Sequence, residues 1–264
     1  SGAKLKFEGL ASKETEGPIV KGNIRADIKD LQGLGKLFQA SLPALPPIMF
    51  AADVAASGQL INVDELNVSM GKSSLTGKFE TDMGAKRPKI KGTLSAKLID
   101  IAELKGNGKK TVDKTEGSSP GSRLIPAEPI AFPPLDMADI NLTISIEKLL
   151  TARNLTLQNL QTNVVLAGGR LSLKPSKMYI AGADFNFKGD AEGLGRKNTK
   201  ILINLNASGI DLGRLLNAVS GKEDLNGGLT EVVADLQALG QSPAKLASTL
   251  KGHVRVSVGP GRVY

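Results

Sequence analysis

Three aspartates recur in one setting. Asp30, Asp100 and Asp211 each close a strand-like alternation and open the pattern Ala-x-x-x-Asp-apolar-x-x-Leu, read as Ala26 to Leu34, Ala96 to Leu104 and Ala207 to Leu215. Carboxylates are the first candidates for general acid/base work, but that chemistry needs two of them about 5–9.5 Å apart. Each of these occurs once per repeat. The competing role is helix N-cap, in which the carboxylate accepts from the free N–H groups of the first turn and its charge suits the positive end of the helix dipole. Asp100 with Glu103 has capping-box spacing. The spacing therefore assigns Asp30, Asp100 and Asp211 as structural caps and leaves no catalytic residue.

Other chemistry is scarce. The chain has no Cys and a single His, His253, which removes thiolate catalysis, disulfides, thiolate metal sites and most His-based schemes. His253 shares the polar side of the alternating stretch Gly252-His253-Val254-Arg255-Val256, the ordinary setting of an exposed strand residue. No nucleophile elbow, phosphate loop, dinucleotide fingerprint or metal-ligand spacing occurs, so no enzyme, cofactor or metal is expected. The net charge of +8 permits attraction to nucleic acid or anionic lipid. Aromatics are only 3% of the chain, however, and a nucleic-acid platform needs stacking rings among its basic residues.

The elements that carry these residues alternate with period two. Val20, Ile24, Ala26 and Ile28, then Phe50, Ala52, Val54 and Ala56, then Leu66, Val68 and Met70, then Ile90, Leu94, Ala96 and Leu98 each give one apolar strand face. Gly58, Gly71 and Gly77 punctuate them. Helical stripes follow the caps, at Leu31, Leu34 and Leu37 and at Leu212, Leu215, Leu216 and Val219. Ser242 before Pro243 predicts a further helix over Pro243 to Leu250. Asp235 to Gly240 copies Asp30 to Gly35 but lies in a strand-like alternation, and is read as strand.

Three regions are expected: a first β-repeat region over 1–104, a linker over 105–137 that is Gly/Ser/Lys-rich and then Pro-rich, and a second β-repeat region over 138–264. The offset of 111 that relates Asp100 to Asp211 also relates Gly58-x-Leu60 to Gly169-x-Leu171 and Gly71 to Gly182. One offset over separate stretches predicts a duplicated unit of several strands and a helix. The longest apolar stretch, Leu42 to Ala56, contains Pro43, Pro46, Pro47 and Asp53, so no membrane-spanning helix is predicted. Ser1-Gly2 reads as a cloning remnant, and any signal or anchor is expected outside this stretch.

What remains is surface. Ile140, Leu142, Ile144, Ile146, Val164, Leu166, Leu171, Leu173, Phe185, Phe187, Ile201, Ile203 and Leu205 form a long aliphatic field. It is either the core of an ordinary sandwich or the lining of an open groove for an apolar ligand. Short helices cannot cover it, and exposed apolar area is penalised at ~25 cal/mol per Å².

The second half resembles the AsmA family over about residues 135–264. The carrying residues are Leu135-Asp136-x-Ala138-Asp139-Ile140-Asn141-Leu142, Leu155-Thr156-Leu157-Gln158-Asn159-Leu160, Gly169-Arg170-Leu171-Ser172-Leu173, Gly209-Ile210-Asp211-Leu212-x-x-Leu215-Leu216, and Asp235-Leu236-x-Ala238-x-Gly240-x-Ser242-Pro243. The resemblance implies a mainly β fold: a large curved antiparallel sheet, taco- or groove-like, of repeated strand units, with a few short helices packed on or plugging it. It implies a non-enzymatic protein on the periplasmic side of a Gram-negative envelope, inner-membrane anchored through regions outside this stretch and serving outer-membrane biogenesis. Its implied partner is phospholipid or another acyl-chain lipid, held or conducted along the aliphatic face, with envelope proteins as further partners and no nucleic acid. The alternative is a periplasmic scaffold acting through sheet-edge contacts. A carbohydrate-active solenoid lacks its carboxylate pair.

Overall fold

A computed structural model describes residues 2–14, 17–33, 44–104, 137–151, 155–194, 199–211, 214, 225–226, 229–259 and 262–263. Residues 105–136 of the linker expected over 105–137, Leu34 and Leu37 of the first stripe, and Leu212, Leu215, Leu216 and Val219 of the second lie outside the described residues.

Alternating sequences become strands in chain order: β1 (Ala3–Glu14), β2 (Gly17–Ile28), β3 (Ile48–Ser57), β4 (Leu60–Met70), β5 (Ser73–Asp82), β6 (Lys89–Asp100), β7 (Asp139–Leu150), β8 (Thr156–Ala167), β9 (Arg170–Ile180), β10 (Ala183–Glu192), β11 (Lys200–Asp211), β12 (Leu225–Asn226), β13 (Leu229–Leu239), β14 (Lys251–Val258) and β15 (Arg262–Val263). Thirteen of them make one sheet in the order β1 to β11, then β13 and β14; β12 and β15 form a separate two-stranded ribbon. β1 and β14 are both edges, so the sheet is open and not a barrel. It is a single sheet that runs through both repeat regions, since β6 pairs with β7.

That pair corrects one expectation. The sheet is mixed, not wholly antiparallel: β6 and β7 run parallel, from Lys89 opposite Asp139 to Asp100 opposite Leu150. Two parallel neighbours cannot be joined by a hairpin, so the chain must cross back from the end of β6 to the start of β7. Residues 101–138 make that return.

The duplication appears strand by strand. Adding 111 carries β4, β5 and β6 onto β9, β10 and β11 to within one residue at either end. Even the irregularities repeat: the bulge between Val63 and Leu66 on β4 has its counterpart on β9 between Leu173 and Ser176. Such extra residues bend a strand and raise its local twist. The hairpin glycines Gly71 and Gly182 also correspond, with φ of 55° and 86°, the left-handed region that a tight turn needs and glycine adopts freely.

Helices are short: α1 (Ile101–Leu104) and α2 (Pro243–Ser248), with a helical turn opening at 31–33. α2 begins at the expected Ser242, whose hydroxyl accepts from Lys245 N at 3.3 Å, and Asp235 lies within β13. Glu103 of α1 clamps the β4–β5 turn: its carboxylate accepts from Lys72 N at 3.0 Å and from the Ser73 hydroxyl at 3.2 Å. The same offset places Arg214 beside Gly182.

Among the described residues no second sheet covers the large one. Burial reflects this, because seven of the twelve buried hydrophobic residues are alanines and the largest fully buried side chain is Thr230. Two small clusters form the core, one around Ala52, Val63 and Leu66 and one around Ala183, Ala207 and Ile210.

Candidate functional site

Strand pairing decides which side chains share a face, because directly paired residues point the same way and neighbours along a strand alternate. One row across the sheet reads Ala11, Val20, Ala56, Ile61, Thr81, Ile90, Ile140, Leu166, Leu171, Ala191, Ile201 and Ala238. The next reads Val54, Val63, Phe79, Gly92, Leu142, Val164, Leu173, Gly189, Ile203 and Leu236. Beside it lie Leu94 with Ile144, and Phe187 with Leu205, Ala234 and Val254. The last row holds Ala96 with Ile146, and Met178 with Phe185, Ala207, Val232 and Val256.

All thirteen residues of the predicted aliphatic field thus fall on one face of one sheet. Leu166 is buried, Ile203 is 42% exposed, and the other eleven are half-buried. The sandwich alternative fails among the described residues, since nothing interdigitates with this face. The face is also larger than the field read from sequence. It continues over β1 to β6 through Leu5, Phe7, Ile24, Phe50, Val68 and Phe79, and onto β14 through Val254, Val256 and Val258. The signal was present as period-two alternation in each strand. What joins the strands into one surface is register, which no single strand contains.

The opposite face is polar. Asn23 donates to Asp53 at 2.6 Å, Asn163 donates to Asn141 at 2.8 Å, and Asn204 donates to Asp235. Arg170 bridges Asp190 at 3.1 Å and Glu192 at 3.0 Å. The Ser172 hydroxyl, 2.6 Å from Asp190, holds that carboxyl below the usual aspartate range, with Arg170 assisting. Two open depressions, of about 820 and 620 Å³, are lined by residues of both parities, among them Leu5, Arg25, Phe50 and Val68 in one and Thr162, Lys177, Phe187 and Leu205 in the other, and both linings are mainly apolar.

The three recurrent aspartates are engaged with backbone. Asp30 accepts from Gly33 N at 2.8 Å, Asp100 from Ala102 N at 2.9 Å and Asp211 from Arg214 N at 3.0 Å. They stand on three different strand ends along one side of the sheet, far from the pairing that acid/base chemistry requires. His253 lies opposite Asp235 on edge strand β14, on the polar face. Among the described residues no three His, Cys, Asp or Glu cluster as metal ligands, and no helix is long and apolar enough to cross a membrane.

Among the described residues, an open, single-layer sheet with one mainly apolar face, interrupted by the Thr162–Ser176 hydroxyl pair at mid-sheet and by Lys148 and Gln158 near one rim, and one hydrogen-bonded polar face defines the class: a repeat-built β protein whose principal feature is a surface. Comparison with known proteins gives the family. The AsmA family profile matches residues 3–264, and the chain belongs to that family. The match reaches through the first half, beyond the stretch from 135 onward where the resemblance was read. A curated relative, the AsmA family protein YhjG of Escherichia coli strain K12, is 21% identical over 286 aligned residues, covering 98% of this chain and 40% of its own length. The chain therefore spans about two-fifths of that relative. No solved structure matches it.

Proposed function

We propose that this chain holds acyl-chain lipid on the apolar face of its sheet, as part of a non-enzymatic protein of outer-membrane assembly on the periplasmic side of a Gram-negative envelope, anchored to the inner membrane by segments outside the stretch described here. The observation that carries this reading is the apolar face that extends across thirteen strands with no second sheet over it among the described residues. Water penalises exposed hydrocarbon at ~25 cal/mol per Å², so acyl chains lying on that face are stabilised there. AsmA family membership supports a role in envelope assembly. No bond is made or broken; lipid lies across the rows while its polar head stays at the strand ends in water.

Native mass spectrometry of protein purified from cells, alongside displacement of a fluorescent fatty acid, tests this. The expected result is bound lipid in the wild type and its loss in an Ile144→Asp, Leu205→Asp double variant that keeps its β-sheet circular dichroism. Wild-type protein that carries no lipid and displaces no probe overturns the reading.

A second reading, a scaffold that pairs with a partner's strand, has its own support. Edge strand β1 leaves Leu5 75%, Phe7 57% and Leu10 82% exposed, and β14 is exposed throughout. Unpaired edges of this kind accept added strands. A crosslink mapped to β1 or β14, with no lipid on the face, would favour it.

A further inference from the structure

The two rims of the sheet, where strands end in turns, differ in charge. On one rim the carboxylates Asp30, Asp100, Glu103 and Asp211 accept from backbone N–H groups of turns and helix starts and stand among the lysines Lys4, Lys29, Lys72 and Lys148, so positive and negative charge are mixed there. The other rim carries the β5–β6 turn, the starts of β9 and β11, and α2. Its carboxylates Asp82, Asp139 and Glu192 are engaged, with Gly84 N at 2.8 Å, Arg87 at 3.7 Å and Arg170 at 3.0 Å. Left over there are Lys13, Lys86, Lys89, Lys200, Lys245 and Lys251, which form no ion pair among the described residues. They are spread as a file along the rim, from β1 to β14, and five of the six are exposed.

We infer that this lysine rim receives the anionic headgroup of lipid whose acyl chains lie on the apolar face, so that bound lipid has one orientation and anionic species are preferred. The inference rests on the acyl-chain reading above and adds which rim and which headgroup. Size agrees with it. A lipid chain spans about 15 Å, half the hydrocarbon thickness of a bilayer, whereas a twelve-residue strand is about 40 Å long. A head anchored at one rim leaves its chains on the face, short of the carboxylates opposite. Lys89, Lys200 and Lys251 open their strands on the polar side and Lys13 lies on the apolar side; at a strand end the long flexible stem lets the ammonium reach round the rim to phosphate while staying in water. A distributed file of cations, with no enclosed pocket, admits successive headgroups along the sheet.

The test uses the whole chain and two fluorescent probes with identical acyl chains, phosphatidylglycerol and phosphatidylcholine, in detergent below its micelle concentration. Wild-type protein should capture phosphatidylglycerol roughly five- to tenfold better, with the preference shrinking at high salt as screening shortens to a few ångströms. Lys86→Glu, Lys89→Glu and Lys245→Glu together should abolish the preference and leave phosphatidylcholine capture unchanged. The matched reversal Lys4→Glu, Lys29→Glu and Lys72→Glu at the other rim should leave both unchanged. Equal capture of the two probes by the wild type, or the same loss from either triple, overturns the inference while leaving the lipid-binding face standing. Capture of neither probe removes the face reading itself. If the first triple lowers only binding to phosphatidylglycerol vesicles, and not capture of single lipids, the lysines serve a membrane surface and the inference fails.

Discussion

Asp190 illustrates how the polar face is held at the level of single side chains. Its carboxyl is stabilised in the charged form first by the Ser172 hydroxyl and then by Arg170, so its folded pKa lies below its unfolded value of about 4. The contribution to stability is therefore present above pH about 4 and is lost as pH falls through the lowered folded value. Ser172→Ala should move the Asp190 titration upward toward the ordinary aspartate range, read by carbon-detected NMR of the carboxyl; an unmoved midpoint would assign the shift to Arg170 alone. Gly252 makes a second local prediction. Its φ is 146° and an added Cβ would collide with the carbonyl oxygen of Asp235 on β13. Gly252→Ala should cost about 2 kcal/mol or more and speed amide exchange along β14 before the rest of the sheet. Neither effect was legible in the sequence, where Ser172 and Gly252 are ordinary alternation residues. Both depend on a cross-strand neighbour that only pairing reveals.

At the scale of elements, the recurrent aspartate was readable because a cap acts within three residues of itself, and Asp30, Asp100 and Asp211 accept from backbone N–H groups two or three residues ahead. Glu103 was only half readable. Capping-box spacing placed it near Asp100, but its carboxylate reaches across to Lys72 N and Ser73, thirty or so residues earlier in the chain. Glu103→Ala should destabilise the β4–β5 turn together with α1 by about 1–2 kcal/mol, since it deletes charge-assisted bonds to backbone. Urea unfolding and exchange at the Lys72 amide would measure it, and a loss confined to α1 would contradict the clamp. The parallel placement of β7 beside β6 was invisible to strand-by-strand reading, because alternation has the same period in either direction.

For the molecule as a whole, thirteen strands at about 4.8 Å spacing make a sheet on the order of 60 Å across, with an apolar face that spans both repeat regions. The sequence disclosed that face in pieces. The field from Ile140 to Leu205 was assembled from neighbouring strands, while Phe50 was read only as part of one strand's apolar face. A long exposed edge has a further outcome: Leu5, Phe7 and Leu10 on β1 should make the isolated chain associate as concentration rises, and Leu10→Lys should weaken this, measured by sedimentation velocity. The parallel junction of β6 and β7 also divides the molecule in time. On either side of it, from β1 to β6 and from β7 to β11, each strand pairs with the one just synthesised, and such local loops close cheaply. The junction itself waits for the return of residues 101–138. Each half is thus a natural cooperative folding unit with the seam zipping last, and pulling the chain from its two ends should open the molecule in two force steps, the first at that seam.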